Sequence, residues 1–251
     1  MLRSLSVTMD SLRLTGNLEI LKEKALLLRD EGLAVIADLH LGYEGVLQLE
    51  GISIPRRQKA VMLESLSRIV DEHAPETIVV NGDFKHNFSR NLDEEWLEVK
   101  EVLRFLKDRT RLVVVRGNHD NYLAAILHDM DIHLRKSYRA GGYTFAHGHW
   151  DIKTKEPIIM GHEHPALKLR DDVGAVVSLP AFVVGRGVIV LPAFSPLALG
   201  TDVSSRPYLS PVLNARDIND ARVLAADDKE GILDFGTMAD LKGQNAALIL
   251  K

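Results

Sequence analysis

No cysteine occurs anywhere in the 251 residues. That excludes disulfides and thiolate-held metal together, so any metal ion must be bound through nitrogen and oxygen. Positive charge is not in excess either: the net charge is -4 and the isoelectric point lies near 6.2. A protein built only to grip phosphate backbones carries a global basic balance, so any nucleic-acid surface here has to be local. A long uninterrupted apolar run is also missing. Met1 to Thr15 mixes leucine with Arg3, Asp10, Arg13 and serines and has no apolar centre of the kind that directs export. The most apolar stretch, Val173 to Phe194, is interrupted by Pro180, Arg186 and Pro192 and divided at Gly185 and Gly187, whereas a membrane span needs about 20 apolar residues in a row. Two short buried strands are expected there, with no membrane contact and a cytoplasmic location. There is no internal repeat and no low-complexity linker, and the length suits one well-buried domain over residues 1–251.

What is present is an alternation of short apolar runs and amphipathic stretches. Leu18 to Leu21, Ala25 to Arg29 and Leu33 to Ala37 read as strands separated by the turns Lys22-Glu23 and Asp30-Glu31-Gly32, the last strand running into Asp38. From Pro55 onward, Val61, Leu63, Leu66, Ile69 and Val70 recur at helical spacing until Pro75 ends the pattern. Thr77 to Val80 is a β-branched run that delivers Gly82-Asp83. Trp96, Val99, Leu103 and Leu106 form one stripe of a second helix over Asp93 to Lys107, and Leu112 to Val115 delivers Gly117-Asn118-His119-Asp120. This alternation predicts an α/β fold with a largely parallel sheet in its first half, in which ligands gather beyond the carboxyl ends of the strands. After Tyr143 the helical signal fades. Tyr143 to Ala146, Pro157 to Met160, Ala175 to Leu179, Val183 to Val184 and Val188 to Leu191 predict a second sheet, and Ala221 to Ala225 with Ile232 to Phe235 predict a strand pair around Asp228-Lys229-Glu230-Gly231. The motif-bearing core is expected over about residues 25–200, with 201–251 adding strands.

Five polar clusters punctuate this layout in order: Asp38-Leu39-His40, Gly82-Asp83, Gly117-Asn118-His119-Asp120, His147-Gly148 and Gly161-His162-Glu163-His164. Their imidazoles, carboxylates and amide oxygen form the donor inventory of a two-metal hydrolytic site. A metal pair needs a carboxylate between its ions, because one shared anion relieves the repulsion of two dications about 3.5 to 4 Å apart. Asp83 is the candidate for that bridge. A local turn must bring Asp38 and His40 to one ion, whereas the spacing of His162 and His164 in an extended chain puts both rings on one face, able to serve two adjacent ions. Asn118 can offer its carbonyl oxygen, which leaves His119 free to protonate a departing alkoxide. Asp120 either supports the proton on His119 or caps a helix beginning at Asn121. Arg116 either clamps a phosphate oxygen or makes a surface ion pair. His86, three residues after Asp83, is either near the site or a surface-loop histidine, and Lys85, Arg90, Arg116, Lys153 and Lys155 are candidates for a phosphate-binding rim.

The series Asp38-X-His40, Gly82-Asp83, Gly117-Asn118-His119-Asp120, His147 and Gly161-His162-X-His164 resembles the calcineurin-like metallophosphoesterases, over about Ala34 to Pro165. The resemblance implies a four-layer α/β/β/α sandwich of two mixed sheets with a dinuclear site. One ion would be held by Asp38, His40, Asp83 and His164, the other by Asp83, Asn118, His147 and His162. His119 would assist the leaving group, and a metal-bridging hydroxide would attack phosphorus in line. His149 competes with His147 for one ligand position, and the family's strand followed by His-Gly favours His147. Manganese is the first expectation for the two divalent ions, with iron, zinc, nickel and cobalt as alternatives, since availability decides among such metals. Leu26 to His40, Asn81-Gly82-Asp83-Phe84-Lys85-His86 and Leu191-Pro192-Ala193-Phe194-Ser195 are similar to the archaeal and bacterial branch that includes the DNA ligase-associated metallophosphoesterases. That narrower likeness implies a DNA-repair nuclease or phosphodiesterase, with DNA-repair proteins as partners. Phe84-Lys85-His86 stands where Ser/Thr protein phosphatases carry Asp-Arg-Gly, which disfavours a phosphoprotein substrate. His119 stands where lipid-precursor pyrophosphatases carry arginine.

Three functions therefore compete. The first is a metal-dependent phosphodiesterase, most of all a nuclease acting on DNA or RNA, single strands included. The second is a small-molecule phosphodiesterase or phosphatase, favoured by the acidic balance and the lack of a nucleic-acid module. The third is a noncatalytic scaffold, disfavoured because every expected ligand and proton-donor position is filled.

Overall fold

The computed structural model describes residues 9–87, 93–171, 175–244 and 249–250. Arg90, Val173 and the first eight residues of the segment read for an export signal lie outside that set. The first sheet sets β1 (Ser11–Arg13), β2 (Leu18–Leu21), β3 (Leu26–Leu28), β4 (Leu33–Ile36), β5 (Thr77–Asn81), β6 (Arg111–Val115) and β7 (Leu134–Arg135) side by side in chain order. The strands from β1 to β4 pair antiparallel through tight turns, and those from β4 to β7 pair parallel. Parallel pairing needs crossovers, which here carry helices: α1 (Tyr43–Leu49), α2 (Gln58–His73), α3 (Asp93–Lys107) and α4 (Leu123–His128).

The second sheet is mixed and begins with β8 (Tyr138–Ala140), β9 (Tyr143–Phe145), β10 (Ile158–Met160), β11 (Pro165–Asp171), β12 (Val176–Gly185), β13 (Val188–Val190) and β14 (Thr201–Asp202). Their spatial order is β14-β11-β12-β13-β10-β9-β8. Helix α5 (Pro211–Asn214) precedes β15 (Arg222–Asp227) and β16 (Gly231–Thr237), which join through β12, and α6 (Met238–Gln244) precedes β17 (Ile249–Leu250), which pairs with β11.

Three buried clusters explain why these sheets stack. Leu27, Ile36, Ile78, Val80 and Val114 face the helices and pack on Leu66, Ile69, Val99, Leu103 and Ile126. Their strand neighbours Leu26, Leu28, Val35, Val79 and Val113 face the other way and meet Phe145, Ile159, Phe182, Leu191 and Leu224 of the second sheet. Beyond it, Met160, Val183, Val190, Val223 and Ala225 pack under Val212, Leu213, Met238 and Leu241. The layers are helix, sheet, sheet, helix, the α/β/β/α sandwich expected from the sequence. Covering both faces is what makes β4 and β5 continuous apolar runs without alternation.

Two expectations need correction. Ala175 to Leu179 and Val183 to Val184 are not separate strands but parts of the single β12, and Pro180 does not interrupt it. It sits where the strand changes partners, pairing with β11 up to Pro180 and with β15 from Ala181, so its missing N–H breaks no continuous ladder. The helix expected at Asn121 begins at Leu123, after Tyr122 turns left-handed with φ 67. Among the described residues, no helix is long and apolar enough to cross a membrane.

Candidate metal centre

The polar clusters follow the carboxyl ends of β4, β5, β6, β9 and β10, and the chain turns sharply at each. Asp38 (φ 60), His40 (φ 47), Asp83 (φ 48), His162 (φ 68) and His164 (φ 45) are all left-handed. That conformation costs on the order of 1–3 kcal/mol for each residue bearing a side chain and persists only where the surroundings enforce it. Here backbone bonds do so. Asp38 N–H donates to Gly82 O at 3.1 Å, His40 N–H to Asp83 O at 2.9 Å and Leu41 N–H to Phe84 O at 3.1 Å, so the loops after β4 and β5 run as a pair. Phe194 and Ser195 close the other side by donating to Ala37 O and Asp38 O. The extended geometry expected for His162 and His164 is therefore wrong, since the chain bends, Glu163 N–H donating to Gly161 O at 2.8 Å, yet the two rings do go to two adjacent donor groups.

Among the described residues two groups of donors share one carboxylate, beside a third made of His40, His86 and His119. Asp38, His40, Asp83 and His164 offer ligand atoms all within 4.8 Å of one another, as do Asp83, His147 and His162. Asn118 joins the second group, its Oδ1 lying 3.0 Å from His147 Nε2. The Asp83 Oδ1 accepts the backbone N–H of His119 at 2.8 Å. That leaves Oδ2 between His147 Nε2 at 3.3 Å and His40 Nε2 at 3.7 Å. On the far side, Asp38 Oδ1 lies 3.3 Å from His164 Nε2, while its Oδ2 accepts the His162 backbone N–H at 3.0 Å. Among the described residues His149 joins none of these groups; its ring lies 3.8 Å from Trp150 and its buried Nδ1 has no hydrogen-bond partner.

The electrostatics are those of a cluster organised around positive charge. Burial works against ionising Asp83, but His147 and His40 outweigh it and hold the carboxyl below the usual range. Asp38 behaves alike, with His164 and His147 overcoming its burial. In return, although burial opposes it, Asp83 and Asp38 lift His147 to about 9, and Asp38 lifts His164. Burial lowers His40 to about 3, and burial reinforced by His147 lowers His162 to about 4, leaving both rings as bare nitrogen donors. Buried carboxylates that draw protons onto neighbouring imidazoles, in a cluster of only nitrogen and oxygen donors, fit a pair of divalent cations.

The remaining candidates divide. His119 Nδ1 lies 2.7 Å from the His86 carbonyl oxygen. Asp120 does not cap a helix: its carboxylate accepts the backbone N–H of Gly117 at 2.7 Å and of Phe84 at 2.8 Å, tying the loop after β6 to the loop after β5. Burial and repulsion from Asp83 push it up to about 6. His86 faces the centre, its Nδ1 3.3 Å from His40 Nδ1 and its ring stacked on Tyr43 at 3.8 Å. Lys85 is not on a rim; it is fully buried, beside Glu95 at 3.5 Å. Arg116, Lys153 and Lys155 are exposed, Arg116 reaching Asn121 Oδ1 at 3.4 Å.

Two supporting residues escape a reading of the sequence. Gln58, buried at the start of α2, donates from Nε2 to His40 O at 2.8 Å and to Ser195 Oγ at 3.0 Å. Asn81 donates from Nδ2 to Ile159 O at 2.9 Å and to Ala146 O at 3.3 Å, crossing from the first sheet to the second, while its own carbonyl lies 3.2 Å from His147 Nδ1. Gln58 sits in no recognisable motif, and Asn81 heads a matched string without a role read for it. Only its place next to Gly82-Asp83 could have flagged Asn81.

The sequence model of the calcineurin-like phosphoesterase family matches residues 33–174. The crystal structure of the Pseudomonas putida nuclease MPE superposes with a TM-score of 0.68 at 22% identity, covering 90% of this chain and 98% of that one. YfcE, a phosphoesterase from E. coli, gives a TM-score of 0.36 at 15% identity over 78% of this chain and 88% of its own. No curated protein matches in sequence.

Proposed function

The chain belongs to the calcineurin-like phosphoesterase family, and from that premise we propose that it is a metal-dependent phosphodiesterase that cuts nucleic acid. The observation that carries this reading is the sharing of Asp83 between two donor groups, with the backbone of His119 bonded to the same carboxylate. In this reading Asp38, His40, Asp83 and His164 hold one divalent ion and Asp83, Asn118, His147 and His162 hold the other, manganese being the first to load. When bound, the ions supply Lewis acidity, activating water and neutralising charge on the phosphoryl oxygens.

The chain's own groups do the rest. Asp83 Oδ1 is anchored by the His119 N–H, so Oδ2 is aimed and cannot rotate away. The His86 carbonyl accepts from His119 Nδ1, which places the neutral ring's one proton there, so a leaving alkoxide would be protonated from Nε2 of the imidazolium form, which returns to the neutral ring. Asp120 holds Gly117 and Phe84 and so positions the loops that carry Asn118, His119 and Asp83. The fold likeness to a nuclease at 22% identity agrees with a nucleic-acid substrate, whereas the net charge of -4 favours the second reading, a small phosphodiester.

The test is hydrolysis by manganese-loaded protein of a labelled single-stranded oligonucleotide beside bis-p-nitrophenyl phosphate, with Asp83→Ala and His119→Ala. Cleavage of both substrates by the parent, abolished in Asp83→Ala, supports the nuclease. Turnover of the small ester alone moves the reading to a small-molecule phosphodiesterase, and activity unchanged in Asp83→Ala sinks the shared carboxylate.

A further inference from the structure

A cleft of about 230 Å³ opens beside the metal centre, lined among others by His164, Ser195, Leu199, Gly200, Lys24 and Asp228. Its walls are tied to the proposed ligands. Ser195 N–H donates to Asp38 O at 3.1 Å and Thr201 N–H to His164 O at 2.8 Å, and a Cβ on Gly200 would lie 2.7 Å from that same His164 oxygen. The cleft therefore shares His164 with the centre and is braced against its backbone. Leu199 is 83% exposed at its edge.

Among the described residues its one lysine or arginine is Lys24, held left-handed (φ 61) in the turn between β2 and β3. The half-buried ammonium donates to the Phe194 carbonyl at 2.9 Å and lies 5.9 Å from the Phe194 ring centroid. Among the described residues, no carboxylate stands within ion-pairing distance; the exposed Asp228 acts on it only through space. Burial lowers its pKa to about 8, which is what a desolvated cation without a matched anion does. Buried charge is normally paired, because desolvation is otherwise uncompensated. Neither the ligand set nor the proton donor uses this lysine, yet it sits in an open cleft that shares His164 with the centre.

We propose that the cleft is a subsite for a phosphate adjacent to the scissile one in a polynucleotide, with the Lys24 ammonium as its counterion. The inference rests on the phosphodiesterase reading and specifies how a polynucleotide differs there from a simple ester: it brings a second phosphate. Two of the lysine's three N–H donors remain for that phosphate once Phe194 O has taken one.

The experiment measures binding of a fluorescent phosphorothioate-linked oligothymidylate to the manganese-loaded full chain by anisotropy, over a series of salt concentrations. Lys24→Met weakens binding about tenfold and lowers the slope of log K against log salt by about 0.7, the contribution of one phosphate contact on a single strand. Lys24→Arg, which keeps the charge, retains both. Asp228→Asn, an exposed change that leaves the lysine in place, tightens binding by removing a competing anion. An unchanged slope in Lys24→Met, or unchanged affinity in Asp228→Asn, overturns the subsite, as does a parent protein that binds no oligonucleotide. Hydrolysis of bis-p-nitrophenyl phosphate by the parent is followed in parallel. Its absence overturns the reading of the metal centre and the subsite with it, whereas hydrolysis with an unchanged slope overturns the subsite alone.

Discussion

Gly82 lies so close to the ring of His147 that a Cβ built on it would fall on the imidazole. Its φ of 94 is also one that residues with side chains rarely adopt. Gly82→Ala must therefore move His147 away from Asp83 and Asn118. The expected result is one tightly bound ion per chain where the parent holds two, with a loss of about 1–3 kcal/mol in stability. Metal analysis after gel filtration, alongside urea unfolding, checks both; two retained ions would show that His147 is not a ligand.

Asp83→Asn keeps the shape of the side chain and removes the charge that two cations would share. A neutral amide cannot offset their repulsion, so we expect both ions to weaken and turnover to fall on the order of 10³-fold. Calorimetric titration with manganese reads the affinity directly. A variant that still binds two ions at parental affinity would remove Asp83 from the bridging role.

His119→Ala separates proton donation from metal chemistry. Oligonucleotide cleavage expels a basic alkoxide, and losing its acid should cost about 10²–10⁴-fold in kcat. The p-nitrophenolate of the small ester leaves without help, so its loss should stay within about 10-fold. Equal losses on the two substrates would mean that His119 does something other than protonate the leaving group.

Lys24 gives stability a pH dependence of defined sign. Its folded pKa of about 8 lies below the ordinary 10.5, so the unfolded chain holds the proton more tightly. The penalty is complete below about pH 8 and fades as pH rises toward 10.5. Lys24→Met should therefore be more stable than the parent at pH 7 by about 1–2 kcal/mol, after allowance for the lost bond to Phe194, and the gap should narrow by pH 10. Urea midpoints at the two pH values decide it; a constant gap would mean that the lysine is not desolvated.

Much of this was legible because β4 and β5 are buried on both faces, so their apolar runs end where the polar clusters begin. Helix α3 falls where its apolar stripe predicts, from Asp93 to Lys107. Helix α1 leaves no such trace: it has seven residues, contains Gly45 and follows Gly42 without a side-chain cap. Strand β11 starts on a proline and carries the exposed Lys168, which blurs its pattern. The clusters themselves could be ordered from the sequence but not bent. Nothing in Asp38-Leu39-His40 or His162-Glu163-His164 announces left-handed backbone, because neither glycine nor asparagine stands at those positions; the neighbouring loops impose it. Gln58 is silent for the same reason, since its partners lie 18 residues before it and 137 after.

The crossing of Asn81 from one sheet to the other has a wider consequence. Asp38, His40, Asp83 and Asn118 follow strands of the first sheet, whereas His147, His162 and His164 follow strands of the second. The centre is a lock cut in two halves, and a chain that has formed only one sheet has no keyhole. Under the proposed function, capture of an ion would thereby certify that the sandwich has closed, and a nascent or half-unfolded chain would lack the full ligand set until its architecture is finished.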